Sequence, residues 1–518
     1  MSFKYRRPEF GDPTPAYRSM ESLWSRSRAV LDGEKAAKEH DETLDVSEYK
    51  NLLIPFSPKM SQEQYNFYKA EAELPGLVSQ YARILVDGIL RKEPSLQLPE
   101  SVKEDASYWI FNAFTSENNT LYSFLQKILW EEISTSGGWI SVDFPNVDIN
   151  ALTAEERAVV RPYPVLWRAE QVTNWIVGPH PRTGNPVLNR IQFRFVDFVL
   201  NNETAQEEPV HTLADHFLDE YGVYQVKFYT KGSSDDTEYR NGEPVYPRHT
   251  QHSGWRHDVE RDATPTAYGQ KFNFIPVFPV NGSLEYEEPI LQPLVTREIA
   301  LYNKISRRNH LLLGAGTYTP WIASSMSEEE FECVTQAGLG SWLKLNQEDS
   351  IGVLEPPTSA LADYDRSIEG TLSEMTRMGM RMMSPETAQS GVALEIRNAS
   401  QTARLGMVNT AVSGTVRKVI DTMLWWQYGE LPDKDTLEFT MSSDFNPTPL
   451  GADWLRLVTE WYTAKLIPRS SFIHVAKQND LLPNDYDDEE GYEEIMQDAL
   501  VPGYETQQND QELEEDLE

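Results

Sequence analysis

The sequence predicts an α+β protein built in two unlike halves. Three observations point there. Up to residue 287, short helical patterns alternate with period-2 hydrophobic runs, separated by loops rich in Gly, Pro, Asp and Ser. Beyond that point, three long stretches repeat apolar residues every three or four positions. Two of these stretches flank the insert at 315–357, so they should run antiparallel with a small body at their far end.

In the first half, residues 60–92 read as helices, with Tyr65, Tyr68, Leu77, Tyr81, Ile84 and Leu85 near helical spacing. Residues 119–133 form another helix, broken by Gly137 and Gly138. WISVDF (139–144) then alternates as a strand does. Further strands are expected at 161–170, 189–200, 222–230 and 274–280, and the segment 231–256 is expected to be a loop.

In the second half, residues 290–313 read as one helix. Pro289 and Pro293 sit at its start, where proline is tolerated, and Gly314 and Gly316 end it. Leu294, Leu301, Ile305 and Leu312 make its apolar stripe. The insert holds the strands PWIAS, GSWLKL and SIGVLEPP and a short helix over 326–336. A second helix, 360–383, carries Leu361, Tyr364, Ile368, Leu372, Met375, Gly379 and Met382. The nine residues SPETAQSGV (384–392) interrupt the pattern: Pro385 ends the helix and Gly391 frees the backbone. The third helix then runs to Gly429 through Val392, Ile396, Ala399, Ala403, Met407, Ala411, Thr415, Val419 and Met423.

Composition bounds the function. At 518 residues with 13 Trp, 24 Tyr and 20 Phe, the chain can bury a large core. No apolar run is long enough for a transmembrane helix, and the basic N-terminus has no apolar stretch behind it, so no signal peptide is expected. The single cysteine, Cys333, can form neither an internal disulfide nor a cysteine-based zinc site, which fits a reducing cytoplasm. The formal charge is −35, and residues 487–518 hold 14 Asp and Glu with no Lys or Arg, leaving −21 on the rest. A body this acidic should not wrap DNA by neutralising phosphates.

The order of elements and several motifs resemble a tailed-bacteriophage portal protein. LWSRSRAVLDG (23–33) and YNFYKAEAELPGLVSQYARILVDGILRKEP (65–94) look like the opening of one portal subgroup. RPYPVLWRAEQVTNW (161–175) resembles its wing strand segment, and FIPVFPVNG (274–282) its strand before the stem. DWLRLVTEWYTAKLIPRSSFIHVAKQNDLLP (453–483) resembles its helix-turn-helix near the end.

That resemblance implies a ring-forming, portal-type fold. Its parts would be a wing (1–287), stem helix 1 (288–314), a clip (315–357), stem helix 2 (358–383), a tunnel loop (384–392), a long wing helix and return (393–443), a helical crown (444–485) and an acidic tail (486–518). It implies a homo-oligomeric ring of twelve at one capsid vertex of the virion, assembled in the host cytoplasm. Double-stranded DNA would pass through it during packaging and ejection. The terminase packaging motor, a tail adaptor and the major capsid protein would be partners, and no membrane or cofactor is implied. Ser384, Pro385, Glu386, Thr387, Gln389, Ser390 and Gly391 would form the loop facing DNA, touching phosphates weakly. Trp321, Glu328, Glu329, Glu330 and Trp342 would serve the clip interface. Arg297, Lys304, Arg307, Arg308, Asp363 and Asp365 would lie on the stem, some pairing with acids of the next subunit.

Other constellations carry less. No GxxxxGK[ST] phosphate-cradling loop occurs, which argues against an ATP-driven motor. HTLADHFLDE puts His211 and Asp215 four apart with His216 beside them; two such ligands on one turn are more often surface residues than a metal site. Met375, Met378, Met380, Met382 and Met383 are expected to pack adaptably against a neighbouring subunit. Trp425 and Trp426 are expected to pack into the wing. No catalytic set stands out. The rival classes are another virion component, such as a capsid or neck protein, and a carbohydrate-active enzyme, suggested only by abundant Trp and carboxylates.

Overall fold

The computed structural model describes residues 10–44, 50–145, 147, 153, 160–201, 206–231, 239–240, 243–244, 254–267, 270–316, 319–323, 325, 327, 350–354, 359–380, 391–442, 452–463, 472–473 and 476. The chain divides into two units, Met1–Ser442 and Ser443–Glu518.

The first unit opens with α1 (Pro15–Leu31). The Thr14 hydroxyl caps it by accepting from the Tyr17 amide at 3.1 Å, and proline takes the first helical position, where no amide is needed. Trp24, in the middle of α1, is fully buried and donates to the Thr135 carbonyl at 2.9 Å. Around it Tyr17, Ala169, Trp175 and Tyr286 close an aromatic cluster. Then come α2 (Glu34–His40), α3 (Gln62–Glu71), α4 (Leu77–Ile89), β1 (Ser95–Gln97), α5 (Lys103–Asn112) and α6 (Leu121–Thr135). Ser61 and Gln64 form a reciprocal capping box on α3.

Two sheets complete the α+β part. The strand β2 (Trp139–Asp143) lies between β3 (Tyr163–Trp167) and β13 (Val277–Pro279), antiparallel to both. The larger sheet is antiparallel in the order β10-β7-β6-β5-β4, from Arg256–Ala263, Tyr224–Lys231, Gln206–Leu218, Pro186–Asn201 and Val172–Pro179. Short pairs are β8 (Tyr239–Arg240) with β9 (Glu243–Pro244), and β11 (Thr266–Ala267) with β12 (Gln270–Lys271).

Two expectations are corrected here. HTLADHFLDE is not a helical turn: residues 211–218 lie on β6, paired with β5 and β7. Asp215 is 1% exposed and takes a bidentate bond from Arg190 at 2.7 and 2.5 Å. His216 accepts or donates to the Tyr224 hydroxyl at 2.6 Å, and burial pushes its imidazole down to about 3, so it is neutral. Among the described residues, no group of three His, Cys, Asp or Glu could hold a metal. The segment 231–256 is also not wholly loop, since β8, β9 and the start of β10 lie in it.

Three helices follow the sheets: a first stalk helix (Gln292–Gly316), a second (Ser359–Met380) and the long helix (Gly391–Tyr428). Between the stalk helices stand β14 (Thr319–Ala323) and β15 (Ser350–Leu354), paired antiparallel. The expected strand at 340–345 and helix at 326–336 lie outside the described residues. The long helix has 38 residues, about 57 Å at about 1.5 Å each. Its C-terminal half buries Val412, Val416, Val419, Ile420, Met423 and Leu424. Trp425 and Trp426 meet Phe272 at 4.9 and 4.5 Å between ring centroids, so the two tryptophans do pack into the α+β part. Met407, expected in the same apolar stripe, is 72% exposed instead. Asn409, two residues on, is the buried one and donates to the Met441 and Ser442 carbonyls. The strand β16 (Glu438–Thr440) then pairs with β1. No helix among the described residues is long and apolar enough to cross a membrane.

The second unit contains the helix Ala452–Thr463, where Tyr462 stacks on Phe472 at 4.6 Å.

Candidate functional site: the two-helix stalk and its tip

The stalk is fixed at its root. The first stalk helix buries Leu294, Val295, Ile299, Leu301 and Tyr302 against the α+β part. Glu298, fully buried, turns its carboxylate to the start of α4. It accepts from the Leu77 amide at 2.8 Å and the Val78 amide at 2.7 Å. These amides need an outside acceptor because Gly76, in the left-handed region at φ 71°, offers no side chain to cap α4. Asn303 accepts from the Ile54 amide and donates to the Leu52 carbonyl, both at 2.7 Å.

Higher up, the second stalk helix lies antiparallel on the first. Arg297 pairs with Glu374 at 2.9 Å. Lys304 donates to the Thr371 hydroxyl at 2.7 Å, and Arg308 pairs with Asp365. Partners descend along one helix as they climb the other. The stem charges therefore have partners within their own chain. Arg307 turns to the other side and lies beside Tyr68, whose hydroxyl burial pushes up to about 12 while Arg307 pulls it down. Asp363 pairs with Arg366 one turn along at 2.7 Å. Met375, expected against a neighbouring subunit, is fully buried by its own chain. The stalk helices face each other along this line, so one copy suffices to cover it.

The tip differs. The Trp321 ring lies over Gly352, its partner across β14 and β15. A Cβ on Gly352 would come within 2.7 Å of the indole, so only glycine leaves room. Trp321 is 45% exposed and Ile351 also 45%, with Leu312 at 39% and Leu313 at 44% nearby in sequence. These are large apolar groups left in water at the far end of a charged stalk. The other clip residues, Glu328, Glu329, Glu330 and Trp342, lie outside the described residues.

So do Ser384, Pro385, Glu386, Thr387, Gln389 and Ser390 of the expected tunnel loop, and Met382 and Met383 before it. Gly391, assigned to that loop, is corrected: it is the first residue of the long helix. A glycine fits there because first-turn amides lie outside the helix ladder, so its backbone freedom costs little. Residues the sequence reading missed are Glu298, Asn303 and Gly352. Only Gly352, a glycine inside a strand pattern, carried a local signal.

A family model described as a domain of unknown function (DUF4055) matches residues 290–427, from the stalk root to the end of the long helix. No curated protein matches the chain. Among solved structures, it is similar to a chain of "Neck of empty GTA particle computed with C6 symmetry", at 9% identity and TM-score 0.37, over 77% of this chain and 90% of that one. It is also similar to a chain of "Virion of native gene transfer agent (GTA) particle", at 9% identity and TM-score 0.33, over 77% and 89%.

Proposed function

We propose that this chain is a virion structural protein of the portal type. Twelve copies form a ring at one capsid vertex, and double-stranded DNA passes through the ring during packaging and ejection. The observation that carries this reading is the order of parts: an anchored antiparallel stalk, an apolar tip of paired strands and a long helix returning to the core. The sequence motifs quoted above support the same order.

The chemistry suits passage rather than grip. A chain of net charge −35 is poor in the cations that binding DNA by counterion release requires. The polar residues Thr387, Gln389 and Ser390 then supply only weak contacts. The tip, with Trp321 and Ile351 exposed, is the surface on which a packaging motor and later a tail adaptor dock. Light scattering and negative-stain images of the purified chain test the ring. Closed rings with an axial hole are expected. Monomers alone at micromolar concentration overturn the reading.

A further inference from the structure

A recess of about 400 Å³ opens between α6, the segment leading into the first stalk helix, and the long helix. Glu132, Glu287 and Glu288 line it, and no Lys or Arg does. Glu132 is only 6% exposed, and its Oε2 atom is buried with no hydrogen-bond partner. The contrast with its neighbour is informative. Glu131 is also buried, but Arg28 reaches it at 2.6 Å. Glu132 has no such cation among the described residues. A buried carboxyl left without a partner avoids the cost of charge by keeping its proton, and a cation brought from outside lets it ionise and pair.

The rim says what kind of cation. Met407 projects from the long helix at 72% exposure, and Ile290, Pro293 and Ala411 line the recess with it. One acid at the floor, with two exposed acids and apolar groups at the mouth, matches a long basic side chain. Its methylene stem lies on the apolar rim and its charged head reaches the carboxylates. A bare divalent ion fits less well, because no three carboxylates converge on one point among the described residues.

We propose that this recess receives an arginine or lysine side chain from a second copy of the chain. The inference rests on the ring reading. Two bodies of charge −35 repel each other, so their contact needs local places where opposite signs meet. The recess is one such place, and it is incomplete without the neighbour.

The test uses the purified full-length chain. A photo-reactive benzoylphenylalanine replaces Met407, and Glu287→Gln with Glu288→Gln forms a second variant. Both sites are exposed, so folding should survive, and circular dichroism checks it. The expected results are a cross-link from position 407 to a second copy, next to an Arg or Lys, and assembly at least tenfold weaker in the double Gln variant. Wild type that assembles, with no such cross-link or with unchanged assembly of the Gln variant, overturns the recess and leaves the ring standing. Wild type that stays monomeric overturns both.

Discussion

The Glu298 carboxylate accepts the Val78 amide at 2.7 Å, across 220 residues of chain. A buried acid on the stalk thus completes the first turn of a helix in the α+β part. Glu298→Ala should remove the cap and leave one buried and one partly buried amide unpaired. The expected loss is about 1–3 kcal/mol. Urea unfolding of the variant at neutral pH measures it. An unchanged midpoint would mean that water caps α4 equally well.

At the tip, Gly352→Ala should push the Trp321 ring aside, because the new Cβ would meet it at 2.7 Å. The expected cost is about 1–3 kcal/mol, confined to the β14 and β15 pair. Fluorescence of a variant keeping Trp321 as its reporter should shift to longer wavelength. Ring assembly should stay, while adaptor binding weakens in a pull-down. Unchanged emission and binding would remove Trp321 from the docking surface.

Glu132 sets a pH dependence. Burial first, then the charges of Glu131 and Glu287, push its carboxyl up to about 8. An unfolded chain releases that proton near pH 4.3, roughly the ordinary value for Glu. The folded protein therefore holds a proton that the unfolded chain has lost. Its stabilising contribution is full below the lower value and falls as pH rises through about 8. Glu132→Gln has no proton to lose, so urea midpoints at pH 5 and pH 9 should differ less than in wild type. Equal differences in the two proteins would show that another group sets the slope.

The proposed DNA-facing loop is tested by charge. Thr387→Lys with Gln389→Lys should leave assembly intact, since a surface loop carries little folding energy. The added cations should slow packaging, more so at low salt, where screening is weak. Packaging rate and DNA per particle at two ionic strengths measure the effect. If neither changes at either salt, the loop does not face DNA.

Much of the stalk was legible in the sequence. Recurrence every three or four residues marked all three long helices, and their ends fell within a few residues of those observed. The paired strands PWIAS and SIGVL were visible because prolines and glycines bound them. What failed to show was set by distant partners. The strand β6 was hidden because Asp215 breaks its apolar alternation, and Arg190 and Gln192 on the adjacent strand explain that acid. Glu298 reads as a solvated helix acid until α4 is placed against it. Arg308 and Asp365 have the right types for a pair, but sequence cannot say whether the pair lies within a chain or between chains. Met407 had the correct spacing and the wrong side, since a long helix drifts in phase and only the end packed on the core decides its facing.

The anchors at Glu298 and Asn303 have a mechanical consequence. Both sit in the first half of a 25-residue helix about 37 Å long at about 1.5 Å per residue. Beyond them Arg307 lies beside Tyr68 and His310 stacks on Phe56 at 4.5 Å, and these contacts together form the fulcrum of the arm. A load applied at Trp321 arrives at the root as torque. The arm cannot tilt without tearing the Glu298 and Asn303 bonds or dragging α4 and residues 52–54 along with it. Whatever seats on the tip can therefore be felt at α4 and at residues 52–54, through the first stalk helix.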